Sequence, residues 1–159
     1  MVFTRTLANS GSALATGSSS LNAPRSNRII AATLVISAVD LVRGIGRCAG
    51  YHQIEVPDIT GYLDTNYEGK ADYALEALRS GTDLVYVHVE SPDECGHNGD
   101  AAAKVTALED FDARIVGRVL QGLETLGDAC RLLMTPDHRT PVPLRTHSRE
   151  PVPFVLWGE

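Results

Sequence analysis

Short apolar runs alternate with helical patterns along most of this chain, and this alternation limits the folds that it can adopt. Residues 29–39 and 82–89 are rich in Val, Ile and Leu, as expected of strands that are buried on both faces of a sheet. Shorter strands are predicted at 51–56, 130–134 and 153–157. Because strands and helices alternate, we expect an α/β fold with a mostly parallel sheet flanked by helices.

Helical patterns fill three of the intervals between these strands. Residues 40–50 are predicted to form a short helix with Asp40 at its N-cap. A T-x-x-E capping box at Thr65 and Glu68 begins the next helix, and Asp100 caps a long one. The apolar residues of the long helix recur with a helical period for about six turns. The predicted buried faces are Ala71, Ala74, Leu75 and Leu78 in the second helix, and Val105, Leu108, Phe111, Ile115, Val119, Leu123 and Leu126 in the third.

The charge distribution argues against a nucleic-acid-binding protein. The chain has 159 residues, about the size of one domain. Its formal charge is −6, and because the only charged residues before Asp40 are three arginines, residues 40–159 carry −9. Such an acidic region offers no basic surface for the phosphate backbone of a nucleic acid, but it tolerates bound divalent cations well. No apolar run approaches the length of about 20 residues that a membrane span requires.

Residues 1–28 differ in composition from the rest of the chain. They are rich in Ser, Ala and Asn, contain arginine and lack acidic residues. We expect a disordered or targeting leader here, the second being an organellar transit peptide, followed by a partial metalloenzyme domain over residues 29–159. The expected location is the cytoplasm, or an organelle if the leader directs import.

Polar residues follow two of the predicted strands and precede another. In a parallel sheet the ligand site lies at the carboxyl ends of the strands, so these residues are expected to meet at one rim. Imidazole and carboxylate ligands suit Zn²⁺ or Mn²⁺, and two such ions can bind both the attacking and the leaving oxygen of a phosphoryl group. The segments HVESPDECGHNGD, TPDHRTP and RTHS supply Asp93, His97, Asp137, His138 and His147.

Other histidines and the cysteines are weaker candidates for a metal site. His52 and His88 lie within strand patterns, and we interpret both as structural. Cys48, Cys95 and Cys130 are odd in number and form no C-x-x-C motif, so a disulfide framework is not expected. Cys95 is either a soft metal ligand or a spectator, and the harder Asp and His residues around it favour a spectator.

Three segments of the sequence resemble the archaeal-type, cofactor-independent phosphoglycerate mutases, which belong to the alkaline phosphatase superfamily of metalloenzymes. These segments are SAVDLVRGIGRCAGYHQIEVPDITGYLDTNYEGKADYALEAL, VYVHVESPDECGHNGD and TPDHRTPVPLRTHSREPVPFVLWG, and they occur in this order. The resemblance covers roughly residues 33–158 and implies an alkaline-phosphatase-like core. Residues 1–28 do not share it.

The resemblance implies a role for each candidate ligand. Asp93, His97 and His147 are expected to hold one divalent ion, and Asp137 and His138 are expected to contribute to a second. The two ions are expected to be Mn²⁺ or Zn²⁺, with Mg²⁺ and Co²⁺ as alternatives.

The resemblance also implies a substrate and a reaction. Family members interconvert 2-phosphoglycerate and 3-phosphoglycerate through a nucleophilic Ser whose pKa the metals depress. That Ser and a further metal-binding Asp lie near the amino terminus in the family. No segment before residue 29 matches them, so we assign no catalytic Ser and expect a truncated, carboxyl-terminal portion. Arg43 and Arg145 are either ligands of the substrate phosphate or solvated basic residues.

Three functions remain open at this point. The chain is a phosphoglycerate mutase or the metal-binding part of one, or a phosphatase or phosphonate hydrolase of the same superfamily. The third alternative is a non-catalytic remnant that binds metal or a partner chain. Because the first strand of the family's sheet has no counterpart, we also expect an exposed sheet edge that favours self-association or a complementing chain.

Overall fold

The computed structural model describes residues 2–6, 32–126 and 129–158. The strands are β1 (Val2–Thr6), β2 (Thr33–Ile36), β3 (His52–Gln53), β4 (Leu84–Val87), β5 (Ala129–Met134) and β6 (Val155–Gly158). The helices are α1 (Asp40–Cys48), α2 (Tyr67–Arg79), α3 (Ser91–Asn98), α4 (Ala101–Asp110) and α5 (Arg118–Glu124), with a π-helical segment, Phe111–Gly117, between α4 and α5.

The sheet has six strands in the order β3-β2-β4-β1-β5-β6 and confirms the predicted α/β class. Strand β2 is parallel to β3 and β4, whereas β1 is antiparallel to both β4 and β5. Strand β5 therefore points in the same direction as β2, β3 and β4. Strand β6 is antiparallel to β5, with Val155 opposite Met134. The carboxyl ends of β4 and β5 and the beginning of β6 thus lie at one edge of the sheet, called the site edge below.

Strand β1 differs from the expectation for the amino-terminal region. We expected residues 1–28 to be a disordered or targeting leader, but Val2–Thr6 forms a strand between β4 and β5. The rest of that region, and residues 29–31 of the first predicted strand, lie outside the described residues. The edge strands of the sheet are β3 and β6, and in β6 the side chains of Val155, Leu156 and Trp157 are all exposed. Self-association through an exposed edge stays a prediction.

Strands β2, β3 and β4 are shorter than the sequence indicates. Strand β2 covers Thr33–Ile36 of the predicted 29–39. The extent of β3 and of β4 follows their pairing with β2. Strand β3 is confined to two residues of the predicted 51–56, which pair with Leu34 and Val35 of β2. Strand β4 is confined to four residues of the predicted 82–89, and all four pair with β2.

Helix α2 buries the face that its sequence predicts. It contacts β2 and β4 of the sheet on one side and the π-helical segment and α5 on the other. Its apolar residues Ala71, Ala74, Leu75 and Leu78 are all buried. Leu78 has no exposed surface, and complete burial of a leucine contributes about 1.5–3 kcal/mol. These contacts fix α2 between the sheet and the π-helical segment with α5.

The predicted capping box at Thr65 and Glu68 is wrong. Helix α2 begins at Tyr67, and Asn66 is its N-cap, with Oδ1 accepting a hydrogen bond from the N–H of Gly69 at 2.8 Å. The Thr65 hydroxyl oxygen accepts instead from the backbone of the preceding turn. Because the Asn66 side chain already accepts from an N–H of the first turn, Thr65 and Glu68 do not form the two reciprocal hydrogen bonds of a capping box.

Helix α1 begins at Asp40, one residue earlier than an N-cap at Asp40 implies. Val39 occupies the N-cap position and offers no side-chain hydrogen bond, so the prediction of Asp40 as N-cap is wrong. The hydroxyl oxygen of Ser37 accepts the N–H of Val39 at 3.0 Å, which restrains the chain at the helix entry. The helix ends at Cys48, within the predicted range of residues 40–50.

The long helix confirms its predicted cap, but its apolar stripe is not continuous. Asp100 accepts a hydrogen bond from the N–H of Ala103 at 2.9 Å. The π-helical turns after Asp110 contain more residues per turn than an α-helix, so they rotate the stripe. Val105 and Leu108 are therefore 55% and 50% exposed. Within the described residues, no helix combines the length and apolar character that crossing a membrane requires.

Candidate metal centre

Asp93 and His97 lie one helical turn apart on α3, directly after β4. Pro92 lies in the first turn of this helix, where its missing N–H costs nothing, and Gly99 ends it in the left-handed conformation, with φ of 74°. Residues four apart share a helix face, and His97 Nε2 lies 3.3 Å from Asp93 Oδ2. Two candidate ligands therefore point to the same place at the site edge.

His147 joins this pair from the segment that leads into β6. Its Nε2 lies 3.1 Å from Nε2 of His97 and 3.7 Å from Oδ1 of Asp93. The antiparallel direction of β6 explains the meeting, since a segment that precedes an antiparallel strand reaches the edge where the parallel strands end. The three side chains each offer one ligand atom, and these atoms all lie within 4.8 Å of one another.

The spacing of these atoms fits a bound metal ion. Nitrogen and oxygen ligands lie about 2.0–2.2 Å from Zn²⁺, so two ligands at a tetrahedral angle are separated by about 3.3–3.6 Å. The two Nε2 atoms are 3.1 Å apart, and the carboxylate of Asp93 lies 3.3 Å from Nε2 of His97 (through Oδ2) and 3.7 Å from Nε2 of His147 (through Oδ1), close to this range. Two imidazoles and one carboxylate also match the ligands that Zn²⁺ and Mn²⁺ accept. The donor set of Asp93, His97 and His147 therefore fits a divalent cation.

A backbone carbonyl orients the His97 ring. Nδ1 of His97 lies 3.0 Å from the carbonyl oxygen of Arg145. A carbonyl oxygen only accepts, so Nδ1 carries the proton and donates it. Nε2 then carries a free electron pair and faces the other two ligands. This is the arrangement by which metal-binding histidines are commonly held.

Asp137 and His138 lie beside the first group, in the loop after β5. Nε2 of the His138 ring is 3.4 Å from Asp137 Oδ2, and the backbone N–H of His138 donates to Asp137 Oδ1 at 3.0 Å. The His138 ring stacks on the His147 ring, with a centroid distance of 3.6 Å. All five predicted ligands thus lie at the site edge. Within the described residues, Asp137 and His138 are not part of a group of three candidate ligands.

A cavity of about 720 Å³ borders both groups. Asp93, Asp137 and His138 lie in its wall, together with the cationic side chains of Lys104 and Arg139. The rest of the wall is mostly apolar. It includes Val87, Val89, Leu108, Phe111, Met134, Val142, Phe154 and Val155.

Two polar residues that the sequence pattern did not mark as part of the site, the half-buried His88 and the buried Lys70, meet just after β4. His88 lines the cavity, and its Nδ1 lies 3.2 Å from the Ser37 hydroxyl oxygen. Burial and, to a smaller degree, Lys70 lower the pKa of His88, which favours the neutral ring. Lys70 itself is 1% exposed, and its Nζ donates to the His88 carbonyl at 3.1 Å. Burial lowers the pKa of Lys70 to about 8, against a smaller opposing effect of Glu90.

The other residues considered from the sequence have more local partners. Arg43 donates to Gln53 at 3.1 Å and forms an ion pair with Glu55, both near the edge strand β3. Arg145 supports His97 through its backbone carbonyl. Cys95 is buried in α3, and burial raises the pKa of its thiol, which disfavours the thiolate form that binds metals.

Comparison with known proteins places the chain among metalloenzymes. A family model described as the Metalloenzyme superfamily matches residues 20–159. The 2,3-bisphosphoglycerate-independent phosphoglycerate mutase of Methanothrix thermoacetophila is 56% identical over 124 residues, which are 78% of this chain and 31% of that protein. The probable 2,3-bisphosphoglycerate-independent phosphoglycerate mutase of Geobacter sulfurreducens is 60% identical over 124 residues, with the same coverage of 78% and 31%.

A solved structure gives the same result for the fold. The PH0037 protein from Pyrococcus horikoshii superposes with a TM-score of 0.72 and 31% sequence identity, over 80% of this chain and 37% of that one. The chain spans about a third of the length of the curated relatives, 31% in both cases. The resemblance to archaeal-type phosphoglycerate mutases is confirmed, and the chain belongs to the metalloenzyme superfamily.

Proposed function

We propose that this chain is the metal-binding portion of a metal-dependent phosphoglycerate mutase. The observation that carries the proposal is the meeting of Asp93, His97 and His147 at one point, with ligand atoms within 4.8 Å. In this proposal these three residues hold one Mn²⁺ or Zn²⁺ ion. Asp137 and His138 hold the second ion together with ligands from elsewhere.

The proposed ions supply Lewis acidity and bind the oxygens of a phosphoryl group. The chain's own residues prepare the centre for them. The carbonyl of Arg145 keeps Nε2 of His97 unprotonated, and Asp93 supplies negative charge between the two imidazoles. Lys104 and Arg139, in the wall beside Asp93, bring positive charge to the oxygens of an anionic substrate.

The proposed substrates are 2-phosphoglycerate and 3-phosphoglycerate, in glycolysis and gluconeogenesis. Arg145 is proposed as a contact of the substrate phosphate because its backbone already lies at the centre. For Arg43 the same role requires its release from Glu55. Transfer of the phosphoryl group also requires a nucleophile, which we propose comes from a Ser outside the described residues, in this chain or in a complementing one.

A phosphatase or phosphonate hydrolase of the same superfamily is the second candidate. The wide, mostly apolar cavity of about 720 Å³ beside the centre favours it, because a glycerate phosphate is small and strongly anionic. An aryl or alkyl phosphate would use this apolar wall better. A remnant that binds metal without turnover is the third candidate.

Metal content and turnover, measured on the same samples, separate these candidates. The purified chain, His97→Ala and the control His52→Ala are incubated with Mn²⁺ or Zn²⁺, desalted and measured for bound metal. His52 is exposed on β3, so its loss should leave binding intact. We expect metal in the parent and the control and little in His97→Ala. Absence of metal from the parent would contradict the proposal.

Each metal-loaded sample is then assayed for mutase activity and for phosphate release from an aryl phosphate. Mutase turnover that His97→Ala abolishes would show that the chain or its oligomer supplies the nucleophile. Aryl phosphate hydrolysis without mutase activity would favour the hydrolase. Bound metal with neither activity would support the proposed metal-binding portion if a chain carrying the Ser restores turnover, and the remnant if it does not.

A further inference from the structure

Thr140 connects the two groups of candidate ligands. It lies two residues after His138 and is only 5% exposed. Its hydroxyl donates a hydrogen bond to Oδ1 of Asp93, in the first group. The same hydroxyl oxygen lies 3.3 Å from Nδ1 of His138, in the second group. No signal in the sequence marks Thr140, because Asp93 is 47 positions away.

Proton counting decides the direction of the second hydrogen bond. A hydroxyl has one proton to donate, and the ionised carboxylate of Asp93 can only accept. With its proton on the side of Asp93, the Thr140 oxygen must accept from His138. Nδ1 of His138 therefore carries the proton, and Nε2 keeps a free electron pair. Nε2 lies 3.4 Å from Oδ2 of Asp137, so these two atoms are close enough to be ligands of the same ion.

The backbone of Thr140 is held in place on two sides. Lys104 Nζ, from α4, donates to the Thr140 carbonyl oxygen at 2.7 Å. Helix α3 lies against the same peptide at Gly96, where a Cβ atom would be 2.5 Å from the Thr140 carbonyl oxygen. The backbone that carries the hydroxyl is therefore fixed relative to both ligand groups.

We propose that Thr140 is a positioning residue that sets the tautomer of His138 and thereby makes its Nε2 available as a ligand. The metal-binding part of this role rests on the proposed function. His97 obtains the same tautomer from the carbonyl of Arg145, so both rings present Nε2 to the centre. Thr140 makes one tautomer depend on the charge of Asp93, which couples the two ligand groups.

The tautomer is measurable in the metal-free protein. Nitrogen-15 NMR of the imidazole rings, recorded above the ordinary titration range of histidine, distinguishes protonated Nδ1 from protonated Nε2. His138→Gln assigns the signal. We expect the Nδ1–H form for His138 in the parent and in Thr140→Ser, which retains the hydroxyl. Thr140→Val keeps the shape without the hydroxyl and should shift His138 to the Nε2–H form. Thr106→Val removes an exposed hydroxyl on α4 as the control.

Titration with Zn²⁺ alone gives the second readout. Loss of a residue that orients a ligand typically lowers metal affinity about 10–100-fold, and we expect this loss in Thr140→Val but not in Thr140→Ser or Thr106→Val. An unchanged His138 tautomer in Thr140→Val would overturn the proposal. A tautomer shift in Thr140→Val, together with a parent that binds no Zn²⁺, would support the role of Thr140 and overturn the proposed metal function, so the two failures are distinguishable.

Discussion

Replacement of Gly96 by Ala tests the packing that supports the metal centre. Gly96 lies in α3, immediately before His97. A Cβ atom there would lie 2.5 Å from the Thr140 carbonyl oxygen and 2.8 Å from Lys104 Nζ, where real Cβ atoms essentially never approach within 3.0 Å. The lysine end can move aside. The carbonyl oxygen can move only if the loop after β5 moves with it.

The magnitude follows from two opposing effects. Alanine favours a helix interior over glycine by about 1 kcal/mol, whereas overpacking typically costs about 1–3 kcal/mol. We therefore expect Gly96→Ala to lower the free energy of unfolding by about 1 kcal/mol net. Gly44, in α1, has no atom within 4 Å of its hypothetical Cβ and serves as the matched control. Gly44→Ala should stabilise the chain by about 1 kcal/mol, so the two variants should differ by about 2 kcal/mol.

Urea unfolding of the metal-free variants measures this difference, and Zn²⁺ titration measures its effect on the centre. Because the displaced loop carries Asp137, His138 and Thr140, we expect Gly96→Ala to bind metal more weakly than the parent. If Gly96→Ala is as stable as Gly44→Ala and keeps the parent affinity, the close packing of α3 against Thr140 is refuted.

Two further predictions concern stability. Burial lowers the pKa of Lys70 to about 8 in the folded chain, against 10.5 for an ordinary lysine. Between these two pH values the unfolded chain binds more protons than the folded chain. The free energy of unfolding therefore increases as pH rises, by about 3 kcal/mol in total. This rise, measured by denaturant unfolding from pH 7.5 to 10.5, should be absent from Lys70→Met; equal slopes in the two proteins would contradict it. Asp100→Ala removes an N-cap and should cost about 1 kcal/mol, whereas Asp40→Ala, which removes no cap bond, should change the melting temperature little; equal effects of the two would contradict the cap assignments.

The sequence predicted the strand ends at the site edge because the pattern there is local. The apolar run before His88 and the run before Thr135 end in polar residues, and parallel strands bring their carboxyl ends together. The i, i+4 spacing of Asp93 and His97 is also local, but helix α3, which carries both residues, was not among the predicted helices. The position of His147 depends on the antiparallel direction of β6, which no local pattern indicates.

Features that depend on contacts between distant segments could not be predicted. The choice of Asn66 over Thr65 as N-cap follows from how the preceding loop folds back, with Thr65 accepting from Thr60. Nothing in the sequence around Lys70 indicates burial, yet Lys70 is 1% exposed and donates to the carbonyl of His88, 18 positions away. The place of the strand Val2–Thr6 is set by its pairing with β4 and β5, which are distant in the sequence.

The central claim is that Asp93, His97 and His147 bind one divalent ion, and anomalous diffraction from crystals soaked in Zn²⁺ tests it most directly. We predict a peak about 2.0–2.2 Å from a carboxylate oxygen of Asp93 and from Nε2 of both histidines. The peak should be absent from crystals of His97→Ala soaked in the same way. Crystals of the parent with no peak at these three atoms, or with zinc bound only elsewhere, would contradict the account.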